Sequence, residues 1–238
     1  MGDLSGIVAM VTGAAGNLGE ATARVFERQG ASLALIDHNT DRLDAMFSEI
    51  ASKTEHMLIQ RVDLTDENAV LEATESVHSH FGRIDALVNT VGGYHGGRAV
   101  HDDDPGVWER MLELNLNTAV ATCRAVVPGM IARQSGRIVN VGSRNAIQGA
   151  AGASAYSAAK SAVVRLTESL AAELKDSGIT ANCVLPGTID TPQNREAMPN
   201  ADHDAFVSPE AIASVIAFLC SHDAWAVSGA AIPVYGRS

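Results

Sequence analysis

The sequence predicts an α/β protein in which one doubly wound parallel β-sheet carries helices on both faces. Two observations lead to this fold class. Short apolar or β-branched runs alternate with longer segments of helical period, and the runs are apolar enough for strands covered on both faces. Repeated strand–helix–strand units also require parallel strands, because each helix returns the chain to the same edge of the sheet. The 238 residues show no composition break or internal repeat, so residues 1–238 are expected to form a single domain.

Seven segments have the length and composition of strands. They are residues 7–12, 32–37, 57–63, 84–89, 137–143, 180–185 and 231–234. Helical segments are predicted at residues 20–28, 40–52, 66–81 and 154–175. The third of these has an apolar stripe that consists of Val70, Leu71, Thr74, Val77 and Phe81. Residues 190–208 are rich in Pro, Asn and Asp and are predicted to be a surface loop.

Composition excludes several classes of function. The net charge of −11 at pH 7 argues against nucleic-acid or anionic-membrane partners, because both are polyanions and the chain offers no basic stripe. No secretory signal is visible, and no apolar stretch reaches the ~18 residues that span a bilayer, so a cytoplasmic protein is expected. Cys123, Cys183 and Cys220 stand far apart without a Cys-x-x-Cys pair, which predicts buried reduced thiols and no metal site.

A glycine-rich turn follows the first predicted strand. That strand ends at Thr12, and the residues after it are Gly13, Ala14, Ala15, Gly16, Asn17, Leu18 and Gly19. Glycine lets a pyrophosphate approach the main chain closely, and a helix start offers unpaired N–H groups and the positive end of its dipole. The turn alone could be a simple tight connection. Its place in a strand–turn–helix unit at the start of an α/β chain predicts dinucleotide binding.

Asp37 ends the second predicted strand, 18 residues after Gly19. A carboxylate there accepts hydrogen bonds from both hydroxyls of an adenosine ribose and repels a 2′-phosphate. His38 and Asn39 follow it, so no Arg or Lys stands directly beside it to offset that repulsion. The cofactor is therefore predicted to be NAD rather than NADP. The alternative is that Asp37 only opens the turn before the next helical segment.

Tyr156 and Lys160 form the candidate reacting pair. Four residues separate them within a predicted helix, so both side chains lie on one face. Free tyrosine has a pKa of about 10, and a neighbouring ammonium together with a positively charged nicotinamide favours its phenolate. The two residues can thus form an acid/base pair. Ser143, with twelve residues between it and Tyr156, ends the preceding predicted strand.

In these motifs the sequence resembles the short-chain dehydrogenase/reductase superfamily, in its single-domain branch of about 250 residues, over residues 6–236. The resemblance implies a catalytic tetrad of Asn115, Ser143, Tyr156 and Lys160. It implies cofactor contacts at Gly13, Gly16, Asn17, Leu18, Gly19, Asp37, Asp63, Leu64, Asn89, Tyr156, Lys160, Pro186, Gly187, Ile189 and Thr191. Asp63 is expected to contact the adenine, and the segment from Pro186 to Thr191 the nicotinamide carboxamide.

The same resemblance implies a role for each member of the tetrad. Tyr156 exchanges a proton with the substrate oxygen while the nicotinamide exchanges a hydride with the substrate carbon. Ser143 holds that oxygen, Lys160 holds the nicotinamide ribose and lowers the tyrosine pKa, and Asn115 supports a water-linked proton path. The sequence departs from the family pattern at Asn17, where Gly or Ala is usual, at Thr90-Val91 in place of Asn-Ala, and at Tyr235 in place of Asp.

The substrate is not named by these motifs. The residues expected at the pocket mouth are mostly polar: Tyr94, His95, Arg98, Arg144, Asn145, Gln148 and Arg195. Each taken singly is more often a solvated loop side chain, although Arg144 with Arg98 or Arg195 could bind a carboxylate or phosphate. Two functional classes stay open: an enzyme that interconverts a secondary alcohol and a ketone, or a 3-hydroxyacyl and 3-oxoacyl group, and a non-catalytic dinucleotide-binding sensor or scaffold. A homotetramer or homodimer is expected by analogy with the family.

Overall fold

A computed structural model describes residues 3–238. It contains one sheet of seven parallel strands in the order β3-β2-β1-β4-β5-β6-β7, which confirms the predicted fold class. The strands are β1 (Val8–Thr12), β2 (Ser32–Asp37), β3 (His56–Gln60), β4 (Ala86–Asn89), β5 (Gly136–Val141), β6 (Ile179–Pro186) and β7 (Ala231–Val234). The helices are α1 (Asn17–Arg28), α2 (Thr40–Phe47), α3 (Glu67–Phe81), α4 (Val107–Leu112), α5 (Thr118–Arg133), α6 (Ser154–Leu174), α7 (Pro192–Ala197) and α8 (Pro209–Cys220).

The central strands are apolar on both faces because each face is covered by helices. In β1, Ala9 and Val11 belong to one apolar core, whereas Val8 and Met10 belong to the core on the opposite face. Residues of α1 and α8 fill the first core, and residues of α3, α5 and α6 fill the second. The strand order reverses between β1 and β4, and in such sheets ligands bind at the carboxyl edge beside that point.

Several predicted boundaries differ from the structure for local reasons. The third strand ends at Gln60 rather than at Asp63, because Arg61 adopts a left-handed φ of 58° that breaks the extended chain. Consequently Asp63 lies in a turn. The predicted helix 40–52 ends at Phe47. The helix predicted at 20–28 begins earlier, at Asn17, directly after its N-cap residue Gly16.

Two further predictions are corrected. Residues 190–208 are not a loop throughout, because α7 lies within them, with Thr191 as its N-cap and a proline at its start. In α3, Leu71 is 49% exposed and therefore lies outside the buried stripe, whereas Val70, Thr74 and Val77 are buried as predicted. Cys123, Cys183 and Cys220 are buried, also as predicted.

Within residues 3–238, no helix is both long and apolar enough to cross a membrane. The same residues contain no group of three or more His, Cys, Asp or Glu side chains that could hold a metal ion.

A chain of buried polar side chains joins the central strands to two helices. The Asn89 amide donates to Asn140 Oδ1 at 2.9 Å, and the Asn140 amide donates to Thr167 Oγ1 on α6 at 2.9 Å. On the other side, Thr122 of α5 donates to Asn89 Oδ1 at 2.8 Å. All four side chains are buried. Asn89, named above as a cofactor contact, therefore bonds to the interior of the protein through both its amide nitrogen and its oxygen.

We expect Asn89→Ala to lower the free energy of unfolding by about 1–3 kcal/mol, because Asn140 Oδ1 would lose its donor inside the core, whereas Thr122 keeps main-chain acceptors in α5. Urea denaturation monitored by circular dichroism measures this difference. The matched control is Asn68→Ala, at an exposed position of α3, which should change stability by less than about 0.5 kcal/mol. Equal effects of the two substitutions would contradict a structural role for Asn89.

Candidate active site

The turn between β1 and α1 brings the start of a helix against the strand end. Gly13 has a φ of +68°, which side-chain-bearing residues rarely adopt. A Cβ on Gly19 would overlap the Gly13 carbonyl oxygen and lie 2.8 Å from Ala14 Cα, so only glycine allows α1 to begin this close to the turn. Gly16 caps α1 without a side-chain hydrogen bond. The first N–H groups of α1 have no partner within the helix, and such a helix start can bind an anion.

Asp37 lies at the end of β2 beside this turn and is 8% exposed. Its Oδ2 accepts the Ala15 N–H at 3.0 Å and its Oδ1 accepts the Asn39 N–H at 2.9 Å. A carboxylate offers about four acceptor positions, so two remain for other donors. The carboxylate lines a cavity of about 360 Å³ at the carboxyl edge of the sheet.

Asp63 and Leu64, which the resemblance places at the cofactor, also line this cavity. Thr65 donates two hydrogen bonds to Asp63 Oδ1, from its N–H at 2.9 Å and its hydroxyl at 2.7 Å, and they lower the pKa of that carboxyl group. Arg61 also lines the cavity, and no sequence motif marks it as a site residue. Its left-handed φ cannot be inferred from the residue type.

Asn115 occupies a widened helical turn between α4 and α5. The π-helical turn Glu113–Asn117 contains it, and the side chain is 2% exposed. Its amide donates to the Gly93 carbonyl oxygen at 3.0 Å, and its Oδ1 accepts the Gly93 N–H at 3.1 Å. A second bond from the amide reaches the Met111 carbonyl oxygen at 3.0 Å. The side chain thus fixes the main chain that follows β4.

Gly92 lies between two members of the predicted tetrad. A Cβ on Gly92 would lie 2.8 Å from Asn115 Oδ1 and 2.9 Å from Lys160 Nζ. The Lys160 amine donates to the Val141 carbonyl oxygen, at the end of β5, at 2.9 Å. Burial lowers the pKa of Lys160 to about 8. The structure therefore brings Asn115 and Lys160 together on either side of a glycine main chain.

Ser143 and Tyr156 complete the tetrad next to this pair. Ser143 follows β5 in an extended conformation, and its hydroxyl accepts the Asn145 N–H at 3.2 Å. Burial raises the pKa of Tyr156, a hydrogen bond with Ser143 lowers it, and the nearby Tyr94 phenol raises it. Burial is the largest of these influences and raises the Tyr156 pKa overall in the protein chain alone. The predicted lowering by Lys160 together with a bound nicotinamide stays a prediction.

Tyr94 provides an aromatic wall beside the Tyr156 phenol. Its ring packs edge-to-face against Tyr156 with centroids 5.1 Å apart, and it is 66% exposed. The loop that carries it is attached to the segment before α6, because Gly97 N–H donates to the Gly152 carbonyl oxygen at 2.8 Å. A Cβ on Gly96 would overlap the Tyr94 hydroxyl. His95, in the same loop, lies 3.4 Å from Asp103 Oδ1.

The predicted nicotinamide segment follows β6 and is held by main-chain bonds. Gly187 N–H donates to the Val234 carbonyl oxygen at 3.1 Å, and Ile189 forms a parallel bridge with Val207. The Thr191 hydroxyl accepts the Asn194 N–H at 3.1 Å, which begins α7. The Asn17 amide, at the start of α1, donates to Gln193 Oε1 of α7 at 3.1 Å.

The arginines predicted at the pocket mouth are not equivalent. Arg195 forms a two-pronged ion pair with Asp190, with nitrogen–oxygen distances of 2.5 and 2.8 Å. The Arg144 guanidinium donates to the Ser238 main-chain oxygen at 2.6 Å. Both groups therefore already have partners, whereas Arg98 is exposed. Asn145 and Gln148 lie in or beside the short helical turn after Ser143.

Comparisons with known proteins agree with this geometry. The short chain dehydrogenase family matches residues 7–202. The chain is 35% identical over 238 residues to the (2S)-((R)-hydroxy(phenyl)methyl)succinyl-CoA dehydrogenase subunit BbsD of Thauera aromatica, covering 96% of this chain and 95% of that protein. It is 33% identical over 241 residues to the 3-oxoacyl-(acyl-carrier-protein) reductase of Thermotoga maritima, with 98% of each covered. The solved structure of levodione reductase superposes with a TM-score of 0.90 at 29% identity, covering 98% of this chain and 97% of that one.

The protein thus belongs to the class of oxidoreductases that act on hydroxyl and keto groups. More particularly, the chain is a member of the short-chain dehydrogenase family, whose members bind a nicotinamide dinucleotide.

We expect Gly92→Ala to impair turnover strongly, because the added methyl group must displace Asn115 Oδ1 or Lys160 Nζ. A displacement of about 1 Å at reacting groups can cost about a hundredfold in rate. The control is Gly106→Ala, where the nearest atom to the new Cβ would be 3.4 Å away, so activity should be retained. Steady-state kcat and thermal unfolding of both variants provide the comparison. Wild-type kcat in Gly92→Ala would contradict the close approach described here.

Proposed function

We propose that the protein is an NAD-dependent oxidoreductase that interconverts a secondary alcohol and a ketone, with Tyr156 as general acid/base. The observation that carries this proposal is the convergence of four side chains at one edge of the sheet. Asn115 and Lys160 approach each other across Gly92, and Ser143 lies near enough to the Tyr156 phenol to lower its pKa. A fold kept only for structure has no physical need for this arrangement at the point where the strand order reverses.

The residues present fit a bound dinucleotide. The turn at Gly13 and Gly19 has no room for side chains and offers the start of α1 to phosphates. Asp37 keeps two acceptor positions for ribose hydroxyls at the edge of the cavity of about 360 Å³. When bound, the cofactor supplies or accepts the hydride.

The chain itself moves the proton. In oxidation the Tyr156 phenolate accepts the proton of the substrate hydroxyl, and in reduction the Tyr156 phenol donates it to the keto oxygen. Ser143 donates a hydrogen bond to the same oxygen and so fixes its position. Lys160 uses one of its three donor positions on Val141 and keeps two for the ribose hydroxyls beside the nicotinamide. Asn115 holds the main chain of Gly93 and thereby the wall of the site.

The substrate class that we propose is a secondary alcohol with a ring or an acyl thioester next to it. Tyr94 supports this proposal, because its exposed ring stands edge-to-face to Tyr156 and can cover an apolar part of a substrate. The names of two relatives point the same way, since one is a dehydrogenase of a hydroxyacyl-CoA and the other a 3-oxoacyl reductase.

Association with further copies of the chain, as a homodimer or homotetramer in the cytoplasm, is part of the same proposal. Exposed large apolar side chains support it, among them Trp225 at 75% and Phe218 at 46% exposed.

We expect Tyr156→Phe to reduce kcat by about 10²–10⁴-fold and to leave NADH affinity nearly unchanged, because the ring still packs but carries no proton. NAD reduction is first measured over a panel of cyclic secondary alcohols, hydroxy acids and 3-hydroxyacyl thioesters, and the variant is then tested on the best substrate. NADH fluorescence gives the affinity. A variant with more than half of the wild-type kcat would show the assigned mechanism to be wrong. A wild-type protein that binds NADH but oxidises nothing in the panel would favour the sensor or scaffold alternative.

We expect the wild-type protein to prefer NAD to NADP by about a hundredfold in kcat/KM. A 2′-phosphate about 4 Å from Asp37 is repelled by about 4 kcal/mol per unit charge at an effective dielectric of 20, an upper bound near a thousandfold that loop movement reduces. Asp37→Ser should narrow the preference mainly by weakening NAD, since it removes a ribose acceptor. A wild-type preference for NADP would mean that His38 and Arg61, which line the same cavity, determine the choice instead.

A further inference from the structure

Arg144 directly follows Ser143 but contacts the C-terminal part of the chain. Its Nη1 donates to the Ser238 main-chain oxygen at 2.6 Å, and its guanidinium carbon lies 5.5 Å from the centre of the Tyr235 ring. The second distance is within the range of a cation–π interaction. Residues 235–238, called the closing segment below, therefore hold this side chain by a hydrogen bond and by an aromatic face.

The closing segment is also attached to the predicted nicotinamide segment. Thr188 N–H donates to Ser238 Oγ at 3.2 Å, and that hydroxyl donates to the Tyr235 carbonyl oxygen at 2.7 Å. A Cβ on Gly187 would overlap Ser238 Oγ, so glycine is required at that point. A further attachment comes from Arg237, whose N–H donates to the Ala205 carbonyl oxygen at 3.1 Å.

The turn that carries Ser143 has a second support, from α6. The Ser161 hydroxyl donates to the Ala146 carbonyl oxygen at 2.7 Å. On the other side, Arg144 bonds to Ser238, whose hydroxyl accepts the Thr188 N–H. The turn is thereby held between the helix of Tyr156 and the segment predicted to contact the nicotinamide.

We propose that Arg144 is a positioning residue that fixes Ser143 through its contacts with residues 235–238. This inference rests on the proposed function, because it presupposes that Ser143 touches the substrate oxygen. The contacts of the guanidinium with Ser238 and Tyr235 favour this role over the hypothesis that Arg144 binds an anionic substrate group. A planar guanidinium combines the hydrogen bond with the ring contact, which an ammonium does less well.

The kinetic test is a double-mutant cycle of Arg144→Ala and Ser143→Ala on one neutral and one anionic alcohol. Arg144→Ala should lower kcat between about tenfold and about a hundredfold on both alcohols, with KM for NAD unchanged, because the serine hydroxyl loses its fixed position. In the Ser143→Ala background the same change should cost less than about twofold, since no hydroxyl is left to position. Arg144→Lys should recover part of the rate. Arg124→Ala, which removes a surface contact with Glu67, is the matched control.

Three outcomes would overturn the inference. A loss confined to the anionic alcohol would make Arg144 an anion receptor, and full additivity with Ser143→Ala would place its effect elsewhere. An unchanged kcat in Arg144→Ala would show that Arg144 does not position Ser143. Failure of the proposed function looks different, because Ser143→Ala would then keep the wild-type rate and leave nothing for Arg144 to position.

Hydrogen exchange supplies a measurement that does not depend on a substrate. The N–H groups of Ile147 and Gln148, which bond to the Arg144 carbonyl oxygen at 3.2 Å, should exchange faster in Arg144→Ala and in Tyr235→Leu. Tyr235→Phe should preserve the wild-type exchange, because the Tyr235 hydroxyl makes no hydrogen bond within residues 3–238. Unchanged exchange in Tyr235→Leu, in protein that still unfolds cooperatively, would contradict the proposed support.

Discussion

The buried amide chain through Asn89 and Asn140 is the constraint on which the site depends. This chain of hydrogen bonds runs from α5 through β4 and β5 to α6. It therefore ties two helices to the same two strands: α5, which follows Asn115, and α6, which carries Tyr156 and Lys160. Apolar packing alone tolerates small shifts between layers, whereas a hydrogen bond inside a core is costly to leave unmade. The two helices next to the predicted tetrad are thus held by a polar network that none of the four residues joins.

Burial acts in opposite directions on the two titratable groups of the tetrad. It lowers the pKa of Lys160 to about 8 and raises that of Tyr156, and in each case it disfavours the charged form. In the chain by itself the Tyr156 phenol is therefore neutral near pH 7, whereas Lys160, with a pKa of about 8, still carries most of its charge in this buried site. A positive charge introduced near the phenol has a larger effect in such surroundings than in water. This makes the proton affinity of Tyr156 sensitive to what is bound beside it.

The sequence was sufficient for the fold class and for the position of every strand to within a few residues, and the four residues of the predicted tetrad lie at one edge of the sheet. The apolar pattern of a segment indicates which of its faces are buried. A four-residue spacing such as that of Tyr156 and Lys160 places two side chains on the same face of a helix. The sequence was insufficient where contacts between distant residues determine the local structure or the pKa of a side chain. The left-handed Arg61 shortens a strand, α7 forms inside a polar segment, and the direction of the Tyr156 pKa depends on burial that no local pattern records. The partner of Arg144 lies 94 residues away along the chain.

The arginines illustrate why residue type alone overstates the charge of a site. Arg144, Arg195 and Arg98 suggest a cationic pocket when taken from the sequence, but two of them are used to connect segments. Arg195 neutralises Asp190 at the start of α7, and Arg144 joins the serine turn to Ser238. A guanidinium has several donors in one rigid plane, so it loses little side-chain entropy when it bonds to main-chain oxygens or to a carboxylate. Asp190 offsets the charge of Arg195, whereas the hydrogen bond to a main-chain oxygen fixes Arg144 in place without neutralising it, so the surroundings of each guanidinium, and not its residue type, determine the charge that it offers to a ligand.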